Sequence, residues 1–104
     1  MRWFDDLYNR KVRFTDERFE HIENDHPEMS GQIDKIKETL TRPEMIIRSR
    51  TDSEVELFYR HYLSTPVTEK YMCVAVKIRG DDSFIITAYF TDTVKKGDIL
   101  WGKK

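Results

Sequence analysis

"YMCVAVKIRGDDSFIITAYFT", residues 71–91, decides what kind of fold this chain forms. Two apolar runs with period-two alternation flank a Gly/Asp cluster, the signature of a β-hairpin. In the first run Met72, Val74, Val76 and Ile78 share one face, and Tyr71, Cys73, Ala75 and Lys77 share the other. In the second run Phe84, Ile86, Ala88 and Phe90 oppose Ile85, Thr87, Tyr89 and Thr91. A loop at Gly80–Asp82 pairs Ile78 with Phe84, Lys77 with Ile85, Ala75 with Thr87 and Cys73 with Tyr89. That register keeps the apolar sets together, whereas a one-residue slip sets Lys77 against Ile86.

Upstream of the hairpin the period-two pattern continues through "EMIIRSR" and "VELFYRHYL", joined by the turn "TDSE". Further upstream the period becomes helical. In "RFTDERFEHIENDH" Thr15 is placed to cap a helix, and Asp16 and Glu17 favour its positive end. Phe14 and Phe19 occupy the hydrophobic-staple positions. A second helix is predicted over residues 30–41, with Ile33, Ile36 and Leu40 at helical spacing and Pro43 as its stop. Downstream, Ile99–Trp101 suits a short extra edge strand. The predicted fold is therefore α+β in one domain over residues 1–104: two N-terminal helices packed on one face of a four-stranded antiparallel sheet.

Two helices on one face leave the other face free. In the second strand Val55, Leu57 and Tyr59 are assigned to the core, which sends Phe58, Arg60 and Tyr62 to the free face. That face then carries Arg60, Lys77, Thr87 and Tyr89 with the rings of Phe58 and Tyr62, a set able to bind phosphate and stack bases. The same residues are ordinary on a solvated sheet face.

Composition narrows the function classes. The chain has 104 residues and a formal net charge of −1, so no global basic field marks a nucleic-acid binder. The charge is distributed unevenly, from −3 over residues 1–30 to 0 over 31–60 and +2 over 61–104. A single cysteine, Cys73, rules out an intramolecular disulfide and suits a reducing compartment. The charged start "MRWFDDLYNRK" is unlike a signal peptide, and no apolar run approaches a membrane span, so a cytoplasmic protein is expected, with no membrane partner.

"HIENDHPEM", residues 21–29, holds two of the three histidines. Spaced five apart, His21 and His26 lie some ~140° apart on an ideal helix, where a zinc pair wants a spacing of three or four. No metal and no cofactor is expected. His21 and Asp25 share a helix face and are placed to interact. Pro27 disfavours a helical conformation for His26, which marks the helix end and frees its ring to lean toward the sheet. His61 is assigned to the core side of the second strand or its rim.

Together, "FTDERFEHIENDHPEM", "IKETLTRPEMI", "LFYRHY", "VAVKI" and "FIITAYFT" resemble small bacterial, archaeal and phage proteins placed among the metal-independent nucleases related to barnase, EndoU, colicin RNase domains and RelE-like toxins. The resemblance covers roughly residues 12–101. It implies a histidine from the first helix region, basic residues on the middle strands and a hydroxyl on the last strand. The matching positions are His26 or His21, then Arg60 and Lys77, then Thr87. Many RelE-like relatives carry an arginine after that hydroxyl, where "TAYFT" offers Tyr89. The implied chemistry is RNA cleavage by attack of a 2′-OH on the adjacent phosphate. The helix histidine supplies acid/base function, Arg60 and Lys77 hold the phosphoryl oxygens, and Thr87 positions the substrate. Tyr89, Phe58 and Tyr62 line the binding surface. The expected partner is RNA, ribosome-associated or free, or an antitoxin-like protein that covers the open face. The rival expectation is a non-catalytic interaction module that keeps the nuclease-like fold.

Overall fold

A computed structural model of the protein describes residues 1–102. It contains β1 (Arg2–Asp5), β2 (Lys11–Phe14), α1 (Asp16–Asp25), a 3₁₀ turn (Pro27–Met29), α2 (Ile33–Thr41), β3 (Met45–Arg48), β4 (Val55–Tyr62), β5 (Lys70–Arg79), β6 (Asp82–Thr91) and β7 (Asp98–Gly102). The strands form one seven-stranded sheet in the order β1-β2-β6-β5-β4-β3-β7. This corrects the predicted four-stranded antiparallel sheet preceded by two helices. The helices follow β1 and β2, and the sheet is mixed, because β2 runs parallel to β6. The first two strands escape a periodicity reading because each has only four residues, and β1 buries only Phe4. None of the helices among the described residues is long and apolar enough to cross a membrane.

The helix signals act locally. The Thr15 hydroxyl accepts the Arg18 N–H at 3.1 Å, and the Phe14 and Phe19 rings meet edge to face at 5.5 Å. α1 ends at Asp25, with His26 out of helical geometry before Pro27. β2 leads directly into α1, so α1 is delivered along β6 beyond the end of β2. α1 and the 3₁₀ turn pack on β6, while α2 packs on β5, β4 and β1.

The strands β3 to β6 form the antiparallel centre of the sheet. The hairpin reaches its register by an unexpected route. Its loop is one residue shorter than predicted, Gly80–Asp81, with Gly80 at φ +55°. Ile78 therefore pairs with Ser83, and Lys77 with Phe84. A bulge on β6 opposite Ala75/Val76 then takes up the missing residue, so Ala75 faces Thr87 and Cys73 faces Tyr89, as the alternation requires.

The sheet buries both faces. The helix side holds Phe14, Ile22, Ile36, Leu40, Ile46, Phe58, Met72, Val74 and Val76. The second face holds Met45, Ile47, Val55, Leu57, Tyr59, Cys73 and Ala75. This reverses the expected facing of β4. Phe58, opposite Val74, is fully buried beneath the helices, and Val55, Leu57 and Tyr59 lie on the second face. The helix-facing side of β4 carries Glu56 and Arg60 beside Phe58 and Tyr62, so alternation marks it as the polar face although it packs beneath the helices.

The second face is covered in part by the chain itself. β6 lies on the far side of β5, β4 and β3 from β7, so residues 92–97 must cross the sheet to connect them. Val94 packs into the second-face cluster, and the Lys95 N–H donates to the Tyr59 hydroxyl at 3.1 Å. At Gly97 an added Cβ would fall 2.3 Å from the Arg48 carbonyl oxygen, so glycine permits the crossing segment to lie against β3.

Candidate functional site

Three strands place the side chains of the second face in rows. Tyr89 of β6, Cys73 of β5 and Tyr59 of β4 form one row through the pairs Cys73–Tyr89 and Tyr59–Cys73. Thr91, Tyr71 and His61 form the row on one side of it, and Thr87, Ala75 and Leu57 the row on the other. Lys77 lies beyond the Thr87 row, opposite Phe84 and Val55. Among these, Tyr71, Lys77, Thr87, Tyr89 and His61 are half-buried, and so accessible in part.

His26 joins this face from outside the sheet. Its ring lies against that of Tyr89 with centroids 5.6 Å apart and planes inclined at 30°. Released from α1 by Pro27, the imidazole leans onto β6 at Tyr89, two residues from Thr87. Its Nδ1 stands 3.6 Å from the Glu28 carboxylate, beyond hydrogen-bond length. His21 lies elsewhere, exposed on α1 with its Nε2 3.7 Å from Asp25. The predicted i,i+4 pairing of His21 and Asp25 is present as a contact, too long for a hydrogen bond.

The predicted cations do not share one surface. Arg60 faces the helices, where its guanidinium donates to the Arg42 carbonyl at 2.8 Å and lies 3.4 Å from Glu38. Tyr62 shares that side, and its hydroxyl donates to Glu38 at 2.6 Å. Burial, reinforced by that acceptor, pushes the Tyr62 phenol up to about 12. The Tyr62 hydrogen bond, with the charges of Arg60 and Arg42, holds Glu38 below its ordinary range against the opposing effect of burial. Phe58 is fully buried and presents no surface on which a base could stack. Lys77 does lie on the second face, but Asp52 at 2.5 Å and Glu54 at 3.3 Å hold its ammonium. The geometry thus brings together His26, Tyr89, Thr87 and, farther along the same face, Lys77. It separates them from Arg60, Tyr62, Phe58 and His21.

Cys73 lies fully buried beneath this surface between Tyr59 and Tyr89. Burial raises its thiol, partly offset by hydrogen bonds from Tyr89 and Tyr59 and by the charge of Lys95, so it is a packing residue and a poor nucleophile. Burial likewise raises the Tyr59 and Tyr89 phenols, so both stay neutral hydroxyls.

One residue on this face was placed differently by the sequence. His61, expected on the core side of β4 or its rim, lies on the second face. Its ring meets Tyr71 edge-on at 5.0 Å, and its Nε2 is 2.8 Å from Glu69. The same reversal of β4 that buries Phe58 carries His61 outward, so correct facing of β4 would have found it. No group of three or more His, Cys, Asp or Glu side chains stands close enough to hold a metal ion among the described residues.

Compared with known protein families, residues 2–101 match the family described as phage-Barnase-EndoU-ColicinE5/D-RelE like nuclease2. Neither a curated protein nor a solved structure matches the chain.

Proposed function

The chain belongs to the phage Barnase–EndoU–colicin E5/D–RelE-like nuclease family that its residues 2–101 match, and from that premise we propose that it is a metal-independent endoribonuclease whose reacting face is the second face of the sheet. The observation that carries this reading is the His26 ring lying on Tyr89 beside Thr87. An imidazole is suited to take and return a proton near neutral pH. His26 serves one of the two proton transfers, taking the 2′ proton or giving one to the 5′ oxygen, and water serves the other. The 2′ oxygen bonds to phosphorus as the P–O5′ bond breaks, leaving a 2′,3′-cyclic phosphate and a free 5′-OH. Thr87 orients the phosphodiester by hydrogen bonding, and Tyr89 supports a base. Lys77 adds positive charge near the developing phosphorane, tempered by its two carboxylate partners.

A net charge of −1 gives little long-range attraction for free RNA. Substrate presented by a ribosome, or activity held in check in the cytoplasm by an antitoxin-like chain, fits that balance. Cleavage assays in EDTA test the reading. Wild-type protein should yield cyclic-phosphate ends, and His26→Ala should lose about 10²–10⁴-fold in rate with its circular dichroism unchanged. Full activity in His26→Ala would remove the histidine from the mechanism. The commitment of both Arg60 and Lys77 to internal partners favours one second reading, a non-catalytic module with a nuclease-like fold. Failure of folded wild-type protein to cleave any RNA would support that module.

A further inference from the structure

The second face has a charge pattern that its strands alone do not create. Lysine and arginine side chains rising from those strands are held by carboxylates, Lys77 by Asp52 and Glu54 and Arg13 by Asp82. Such pairs nearly cancel at a distance, so they add little net field over the face. The crossing segment 92–97 is different. Lys95 and Lys96 are both exposed, and neither makes an ion pair among the described residues. Asp98, next along the chain, stands opposite Arg48 in the β3–β7 register.

The segment is also fixed in position. The Lys95 N–H donates to the Tyr59 hydroxyl, Val94 is packed into the second-face cluster, and Gly97 lies against the Arg48 carbonyl. These backbone and apolar anchors hold the segment without engaging the two exposed lysine side chains. Lys95 is also close enough to Cys73 for its charge to act on the thiol. Tyr59, beneath Lys95, and Tyr89, beneath His26, belong to β4 and β6, two strand spacings or about 10 Å apart. A short extended stretch of RNA spans that distance.

We infer that Lys95 and Lys96 are phosphate anchors for a single-stranded RNA that crosses the second face perpendicular to the strands, gripping the backbone beside the reacting phosphodiester. The inference rests on the nuclease reading and assigns the main electrostatic grip to the crossing segment, in place of Arg60 and Lys77. Single-strand binding is the mode we assign to this surface, since Tyr71 and Tyr89 are partly exposed aromatic side chains on it.

The test uses a non-cleavable 2′-O-methyl RNA oligomer, with binding followed by fluorescence anisotropy across a salt series. Replacing both lysines (Lys95→Ala with Lys96→Ala) should weaken binding and reduce the slope of log affinity against log salt by about 1.4, or 0.7 for each phosphate no longer neutralised. The backbone hydrogen bond to Tyr59 survives these substitutions, so thermal stability should hold. Lys95→Arg with Lys96→Arg should keep the wild-type slope, as should removal of equal charge elsewhere by Arg2→Ala with Lys37→Ala. An unchanged slope in the double alanine variant would overturn the anchor assignment while leaving RNA cleavage by the wild type intact. Wild-type protein that neither binds the oligomer at low salt nor cleaves RNA would overturn both the anchor and the nuclease reading.

Discussion

At the scale of single residues, the ionisable groups divide by the company they keep. Asp52 is held below its ordinary range, first by its hydrogen bond with Lys77 and then by the Glu54 N–H. Glu38 is lowered by the Tyr62 hydroxyl and nearby arginines. A carboxyl whose pKa is lower in the folded state stabilises the fold above its unfolded value, near about 4, and loses that contribution as pH falls through the folded value. Thermal melts should therefore show stability declining below about pH 4, with a flatter acid limb in Asp52→Asn. An acid limb identical to wild type would show that Lys77 gains nothing from Asp52. The tyrosines give a second handle from the alkaline side. Tyr62 should ionise near 12 and Tyr59 and Tyr89 later still, because burial disfavours the phenolate at all three. Alkaline titration of phenolate absorbance should lose its step near pH 12 in Tyr62→Phe.

At the scale of elements, the β1–β2 hairpin shows why a short strand pair persists. Its turn is organised by Asp6, whose buried carboxylate accepts the Tyr8 and Arg10 N–H groups at 2.9 Å and the Arg10 guanidinium at 2.7 Å. The guanidinium then reaches Glu56 of β4 at 2.7 Å, fastening the hairpin turn to the middle of the sheet. Arg10→Met would leave two largely buried carboxylates without their cation and should destabilise the protein by about 3 kcal/mol. Chemical denaturation measures this, and a loss below about 0.5 kcal/mol, the ordinary scale for a surface substitution, would mean the latch is decorative. This latch was illegible in the sequence because Glu56 lies 46 positions from Arg10, a separation that no local pattern reports. The β6 bulge was hidden for the opposite reason. The alternation demanded Cys73 opposite Tyr89 and was satisfied by either a longer loop or a shorter loop with a bulge.

At the scale of the whole molecule, the sheet ends in two exposed tryptophans. Trp3 lies on β1 and Trp101 on β7, at opposite edges. Phe4 of β1 and Leu100 of β7 nevertheless pack into the same helix-side core. Shared packing predicts that both edges unfold with the centre. Tryptophan fluorescence of Trp3→Phe and Trp101→Phe should therefore give denaturation curves that coincide with circular dichroism. An earlier transition reported by Trp3 in Trp101→Phe would show that the first hairpin opens by itself.

The sequence by itself determined what depends on near neighbours. The Thr15 cap, the Phe14–Phe19 staple, the end of α1 before Pro27 and the alternation in β5 and β6 are all set within a few residues. So was the freedom of His26 to leave the helix, which Pro27 imposes through backbone sterics. Only the tertiary structure decided which face β4 presents, since Glu56 and Arg60 mark its helix-facing side as polar and its orientation follows from pairing with β5. That one choice buried Phe58, turned Arg60 and Tyr62 toward the helices and brought His61 to the second face. The crossing of residues 92–97, which sets Lys95 against Tyr59 and near Cys73, was likewise decided by the order of strands. Strand order and facing are settled by contacts between distant segments, where the gain in buried apolar surface exceeds any local preference.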